Sequence, residues 1–306
     1  MRSFELAGMN ASRVGQGCMR ISALSAGELD RLVRGDLDLG INFFDHADIY
    51  GGGECERKFG DLLRADPSLR GKMIIQTKCG IRPGSSYDFS KEHILRQAEK
   101  SLSNLGTDHL DLLLPHRPDT LMEPDEVAEA FFRLKREGKA LHFGVSNHDP
   151  LQMELLGRSL GQERIEVDQL QFSLANTTMI DAGLNVNMEN AGAVNRDGSV
   201  LYWCRLNGVT IQPWSPFQYG FFEGTFIGNT EKYAALNEKL DEVSGRYGVT
   251  PTGMAIAWIL RHPAKMQPIV GSTSPLRMEQ IAKACDVTIT HEEWYELYRA
   301  SGKALP

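Results

Sequence analysis

The feature that most limits the fold of this chain is a repeated alternation. Short apolar runs recur at Val14–Met19, Ile41–Phe44, Met73–Thr77, Leu110–Leu114, Leu141–Val145, Val167–Phe172, Val209–Pro213 and Pro268–Val270. Between most of them lie segments with apolar residues at helical spacing, among them Ala26–Leu37, Glu54–Leu63, Pro124–Glu137 and Pro275–Ala284. Runs this short and this apolar read as buried strands, and strict alternation with helices demands parallel strands joined by crossovers. Eight such units in 306 residues predict a (β/α)8 TIM barrel, a single domain spanning 1–306, with long loops after strands six and seven at 181–197 and 218–229. A doubly wound open sheet is the runner-up. It calls for a G-x-G-x-x-G turn after the first strand, and Gly15-x-Gly17 has no third glycine in place.

In a barrel the strand ends converge on one mouth, and here they carry ionisable groups. The second run stops at Phe44 and is followed at once by Asp45, His46, Asp48 and Tyr50, then by Gly51-Gly52-Gly53. The third ends in Lys78 and the fourth in Pro115-His116-Arg117-Pro118-Asp119. Tyr50, Lys78, Asp45 and His116 make chemical sense together. An ammonium beside a phenol lowers its pKa from about 10. A carboxylate holds the lysine in place, and a histidine hydrogen-bonds a carbonyl oxygen. The set suits delivery of a proton to an oxygen becoming an alkoxide. It holds no hydride source, so a reduction needs a cofactor.

The totals narrow the field. A net charge of −7 without a basic stripe argues against a nucleic-acid partner. Five scattered cysteines with no Cys-x-x-Cys fit a reducing compartment and supply no zinc spacing. The start lacks the apolar core of a signal peptide, and no run approaches a membrane span, so a cytoplasmic protein with no membrane partner is expected. Assembly is not legible in the sequence; a monomer is the first expectation.

These motifs resemble the aldo-keto reductase family over nearly the full length. Asp45-x-Ala47-x-x-Tyr50 with Glu56 and Gly60 looks like the family's first signature, and Lys78 and His116 fall where its other catalytic residues fall. Asp45 to Gly53 and His116 to Asp119 resemble a bacterial branch of uncharacterised oxidoreductases. The resemblance implies NADP as cofactor and an aldehyde or ketone as the small-molecule substrate, with Tyr50 as general acid, Lys78 tuning it, Asp45 pairing with Lys78 and His116 orienting the carbonyl. It also implies a cofactor site made of Met19, Asp45, Ser146, Asn147, Gln169, Trp214, Ser215, Pro216, Gly271, Ser272, Arg277 and Gln280.

Two positions depart from the family pattern. Gly271 stands where lysine is common, which leaves Arg277 to carry the preference for a 2′-phosphate. Ile281 stands where asparagine is common, and Gln280 partly compensates. Two other functions stay open on the sequence: a Schiff-base aldolase with Lys78 as nucleophile, and a nucleotide-binding redox sensor without catalysis. His46 and Asp48 as metal ligands is the weaker reading, because Lys78 brings a cation to the same mouth. Trp214, Phe217, Tyr219, Phe221 and Phe222 suit an apolar or aromatic carbonyl compound and equally suit loop packing.

Overall fold

The computed structural model describes residues 3–119, 121–184, 199–219 and 223–303. Its centre is an eight-stranded parallel sheet closed on itself, a (β/α)8 barrel. The barrel strands are, in order, Gly15–Gly17, Phe43–Asp45, Ile74–Cys79, Leu110–Pro115, Ala140–Ser146, Ile165–Gln169, Thr210–Ile211 and Ile269–Val270. The eighth pairs with the first, and single bridges from Ile211 to Met266 and from Trp214 to Ile269 complete the ring. The outer layer is helical, and the apolar core fills the space between strands and helices.

Local chemistry sets the helix ends. Ser25 and Glu28 form a capping box for Ala26–Asp38, and Asp149 with Gln152 does the same for Pro150–Leu160. Ser90 accepts from the His93 amide at the start of Lys91–Leu105. The helix Pro124–Arg136 ends before Gly138, which takes a positive φ of 70°.

Four details differ from the sequence reading. An antiparallel hairpin, Ser3–Leu6 with Met9–Ser12, precedes the barrel, where no strands are expected from so polar a segment. It closes the lower end, packing Leu6 and Ala11 on Phe43, Ile74, Leu112, Val167 and Ile269. The first part of the expected loop at 181–197 is the end of a helix, Thr178–Leu184; the rest lies outside the described residues. The expected loop at 218–229 contains a short hairpin, Gln218–Tyr219 with Gly224–Thr225; Phe221 and Phe222 are not among the described residues. The helix expected from Thr230 begins at Ala234, because Asn229 ties the Lys232 amide to its side chain and delays the first turn. No helix among the described residues is long and apolar enough to cross a membrane.

Candidate active site

The segment after the second barrel strand is built to project one phenol. The amides of His46 and Asp48 extend the ladder by donating to the carbonyls of Gln76 and Lys78. Tyr50 opens a short turn in which Gly51, Gly52 and Gly53 all have positive φ, between 57° and 90°. Three such residues in a row are accessible only to glycine at low cost, and they swing the chain directly into the helix Glu54–Ala65. That helix is pinned by the other signature residues. Glu56 is buried and accepts from Thr77 at 2.8 Å and Asn104 at 3.1 Å. A Cβ on Gly60 would stand 1.9 Å from the Asn104 carbonyl, so only glycine lets the two helices approach this closely.

Beneath Tyr50 lies a buried ion pair. Lys78 Nζ donates to Asp45 Oδ1 at 2.6 Å and to the His46 carbonyl at 2.8 Å, and neither side chain is more than 2% exposed. Asp45 Oδ1 also accepts from Gln76 Nε2 at 2.7 Å and Gln169 Nε2 at 3.1 Å. Behind the pair runs a chain of amides. Gln267 donates to the Ser12 carbonyl at 2.8 Å, Gln212 to Gln267 Oε1 at 2.9 Å, and Gln76 to Gln212 Oε1 at 2.7 Å. A carbonyl only accepts, so Ser12 dictates which end of Gln267 faces it. Each amide then dictates the next, and Gln76 must present a donor to Asp45.

Tyr50 and His116 meet edge to face, with ring centroids 5.9 Å apart. Burial, with the charge of Lys78 and then that of Arg117, holds His116 well below the usual imidazole range, so it is a neutral hydrogen-bonding group. Lys78 Nζ stands 5.1 Å from the Tyr50 ring centroid. The expected lowering of the phenol by Lys78 is not what governs Tyr50 here. Burial comes first and the charge of Asp45 second, and together they hold the phenol well above its usual value; Arg117 pulls it down. The reason is that Lys78 is matched by Asp45 at hydrogen-bond distance, so the pair acts on Tyr50 with opposed charges. Burial also pulls Lys78 below its usual value, against the charge and hydrogen bond of Asp45.

The opposite wall holds the expected cofactor residues. Asn147, at a left-handed φ of 60°, donates to Ser146 Oγ at 2.8 Å and accepts from Trp214 Nε1 at 3.2 Å. Ser146 Oγ is anchored on the Gln169 carbonyl. Ser215, also at positive φ, turns the chain from Trp214 into Pro216. At the far end Gln16 holds the Ser272 carbonyl at 3.0 Å, and Ser274 caps the helix Pro275–Ala284 beside Arg277. A cavity of about 700 Å³ joins these parts. Met19, Asp45, Tyr50, His116, Ser146, Asn147, Gln169, Trp214, Ser215, Pro216, Gly271, Ser272 and Arg277 all line it. Lys78 lies below its floor and Gln280 stands outside its lining.

This architecture has known counterparts. The model of the Aldo/keto reductase family matches residues 13–301. The chain belongs to that family. It is 36% identical to the uncharacterised oxidoreductase YcsN of Bacillus subtilis, over 94% of each chain. It is 35% identical to the 6-dehydroglucose reductase of Agrobacterium fabrum, over 97% of each. An aldo/keto reductase from Klebsiella pneumoniae, solved with NADP and acetate, shares the fold with a TM-score of 0.78 at 24% identity, over 97% of this chain and 94% of that one.

Several residues that line the candidate site of this aldo/keto reductase escape a reading of strand ends. Ile49, Ile81 and Tyr87 form an apolar flank of the mouth, and Arg20 and Arg117 bring charge to it. Arg117 is half-buried, and its guanidinium carbon lies 5.8 Å from the Trp214 ring centroid. A cation directly after His116 was the available signal. Gln76 and Gln212 give none, since each sits inside or beside an apolar run. His46 is a buried neutral ring packed edge-on to Phe59 at 4.6 Å, with its pKa pushed down to about 3 by burial and Lys78. Among the described residues no three His, Cys, Asp or Glu side chains gather as a metal site.

Proposed function

We propose that this aldo/keto reductase reduces an aldehyde or ketone to an alcohol with NADPH. The observation that carries the reading is the stack of Asp45–Lys78 under Tyr50, with neutral His116 edge-on to the phenol at the mouth of the cavity. The donor set fits a dinucleotide. Ser146, Asn147 and Gln169 offer amide and hydroxyl partners for a carboxamide, and Trp214 offers a ring face. The capped start of helix Pro275–Ala284, with Ser272 and Arg277, suits a phosphate. Bound there, NADPH supplies the hydride. His116 hydrogen-bonds the carbonyl oxygen, and Tyr50 gives that oxygen a proton as charge develops on it. Lys78 and Asp45 hold the phenol in place from below. An aldolase role for Lys78 fits less well, because its Nζ is fully buried, committed to Asp45 and the His46 carbonyl, and outside the cavity lining.

Titration of tryptophan fluorescence with NADPH and NADH, followed by turnover of a carbonyl panel, tests the proposal. Tyr50→Phe is expected to lower kcat by about 10²- to 10⁴-fold, the usual worth of a general acid, with NADPH affinity little changed. Unchanged turnover in that variant removes Tyr50 from the chemistry. Absence of binding by either nucleotide removes the reductase reading.

A further inference from the structure

A second cavity, of about 490 Å³, shares Ile49 and Ile81 with the candidate active site. Asp48 and Gly52, which bracket Tyr50 along the chain, line it as well. One wall comes from a short hairpin, Ile81–Arg82 with Ser86–Tyr87. The other comes from helix Lys91–Leu105, through His93, Arg96, Gln97 and Lys100. That spacing of i, i+3, i+4 and i+7 puts all four on one helical face.

The face is cationic, in a protein of net charge −7. Arg96 and Lys100 stand four residues apart, where like charges weaken a helix. Among the described residues neither forms an ion pair with a carboxylate. Arg82 on the hairpin is paired with Asp88 at 3.4 Å. Asp48 is the only acid in the lining, and burial, then the charge of Glu56, pushes its pKa up to about 7 against the pull of Lys100. His93 supplies a further group. It is 4% exposed, and Arg96 Nη2 donates to its Nδ1 at 2.9 Å. A guanidinium only donates, so the ring proton lies on Nε2. That Nε2 is buried with no hydrogen-bond partner, although buried donors are normally paired. Asp48 Oδ1 is buried without a partner too.

We propose that this second cavity binds a phosphate group, held by the Lys100 ammonium, by Arg96 and by the Nε2–H of His93. The hydrogen bond from Arg96 to His93 is part of the site: it fixes which ring nitrogen offers a proton. It commits one guanidinium nitrogen, and the others remain on the cationic face with Lys100. Phosphate accepts from all three groups, and charge-assisted bonds of this kind are the strong ones. A bare phosphate leaves most of 490 Å³ unfilled, a volume in the range of small-molecule sites. Asp48 Oδ1 offers an acceptor for a hydroxyl on the same molecule. The site lies outside the reductase reading and does not depend on it.

Calorimetric titration of the full chain with inorganic phosphate, glycerol 3-phosphate and glycerol, at fixed ionic strength, tests the site. Saturable binding of the two phosphates and none of glycerol is expected. A tighter Kd for glycerol 3-phosphate identifies a small organic phosphate as the occupant, and equal Kd values identify free phosphate. Changing Arg96→Gln together with Lys100→Gln is expected to weaken binding by about tenfold or more. Both positions are exposed and glutamine is a good helix former, so the fold is kept. Arg277→Gln, in the other cavity, should leave the Kd unchanged. In protein labelled with ¹⁵N-histidine, one imidazole N–H signal should move with the same Kd and stay still in the double variant. No saturable binding of either phosphate overturns the proposal. So does binding lost in Arg277→Gln and kept in the double variant, which moves the anion to the other cavity. Binding with no imidazole signal moved places the phosphate away from His93 and also overturns it.

Discussion

Two layers fill the inside of this barrel, and they are made of opposite materials. The lower layer is Phe43, Ile74, Leu112, Val167 and Ile269, sealed by Leu6 and Ala11 of the hairpin. Two residues further along the same strands the layer becomes Asp45, Gln76 and Gln169, joined by Lys78 and Gln212. Alternation along a strand puts both layers inward, so the switch is one of residue type and not of direction. Apolar packing fills space and tolerates small rotations. Hydrogen-bonded amides fix orientation, and every one left unpaired is costly. The contrast assigns closure to the lower layer and, on the proposed function, alignment of Tyr50 and His116 to the upper.

The sharpest way to break this contrast is Lys78→Met. It leaves Asp45 buried without its cation, a loss of about 3–5 kcal/mol for a broken buried pair, and removes the support of Tyr50. Denaturant unfolding should show the lost stability, and kcat should fall by at least about 10²-fold. Retained turnover would mean that the upper layer is scaffolding only. Leu6→Ala probes the other layer. A cost of about 2–5 kcal/mol is expected, with kcat per folded molecule near that of the unaltered enzyme. A kcat loss as large as that of Lys78→Met would dissolve the division between layers.

Gln212→Leu is a finer cut. It orphans a donor of Gln76 and the acceptor of Gln267 and takes one acceptor from Gln169, at about 1–3 kcal/mol for each buried group left unpaired. A severalfold fall in kcat should accompany it, whereas Thr210→Val on the same strand, at a buried hydroxyl, should not change kcat. The smallest effect concerns Asp36, a buried carboxyl outside both layers with neither oxygen hydrogen-bonded. Burial pushes its pKa up to about 8. The folded state therefore keeps a proton that the unfolded chain, titrating near 4, has released. The unfolded state binds fewer protons across that window, so Asp36 makes stability fall as pH rises from about 4 to about 8. Urea midpoints at pH 5 and pH 8 should draw closer in Asp36→Asn. An unchanged gap would place the pH dependence elsewhere.

Much of the barrel was legible because the signals are local. Each strand is an apolar run, and Asp45, Lys78 and His116 follow such runs directly. The hairpin at Ser3–Ser12 was not legible, since Asn10, Ser12 and Glu5 dilute its pattern and its value lies in contacts to residues such as Phe43 and Ile269 far along the chain. The amide chain was hidden for the same reason. Gln76 stands inside the run Met73–Thr77, and its partner Gln212 is 136 residues away. Placing Lys78 near Tyr50 was possible from strand order. The balance of charges on the phenol was not, because it depends on how closely Asp45 meets Lys78.

A row of amides in which each hands a donor to the next has an arrow. Turning Gln212 alone would set two nitrogens face to face at Gln76 and two oxygens face to face at Gln267, so no link reverses by itself. The row is all-or-none, and its sense is written at one end by the Ser12 carbonyl. The segment most remote from the mouth thus backs, from the other end of the row, the donor that the Asp45 carboxylate demands of Gln76. An N-terminal truncation that spares every strand of the barrel still deletes one of the two acceptors between which that sense is fixed, leaving the Asp45 carboxylate to hold the row from a single end.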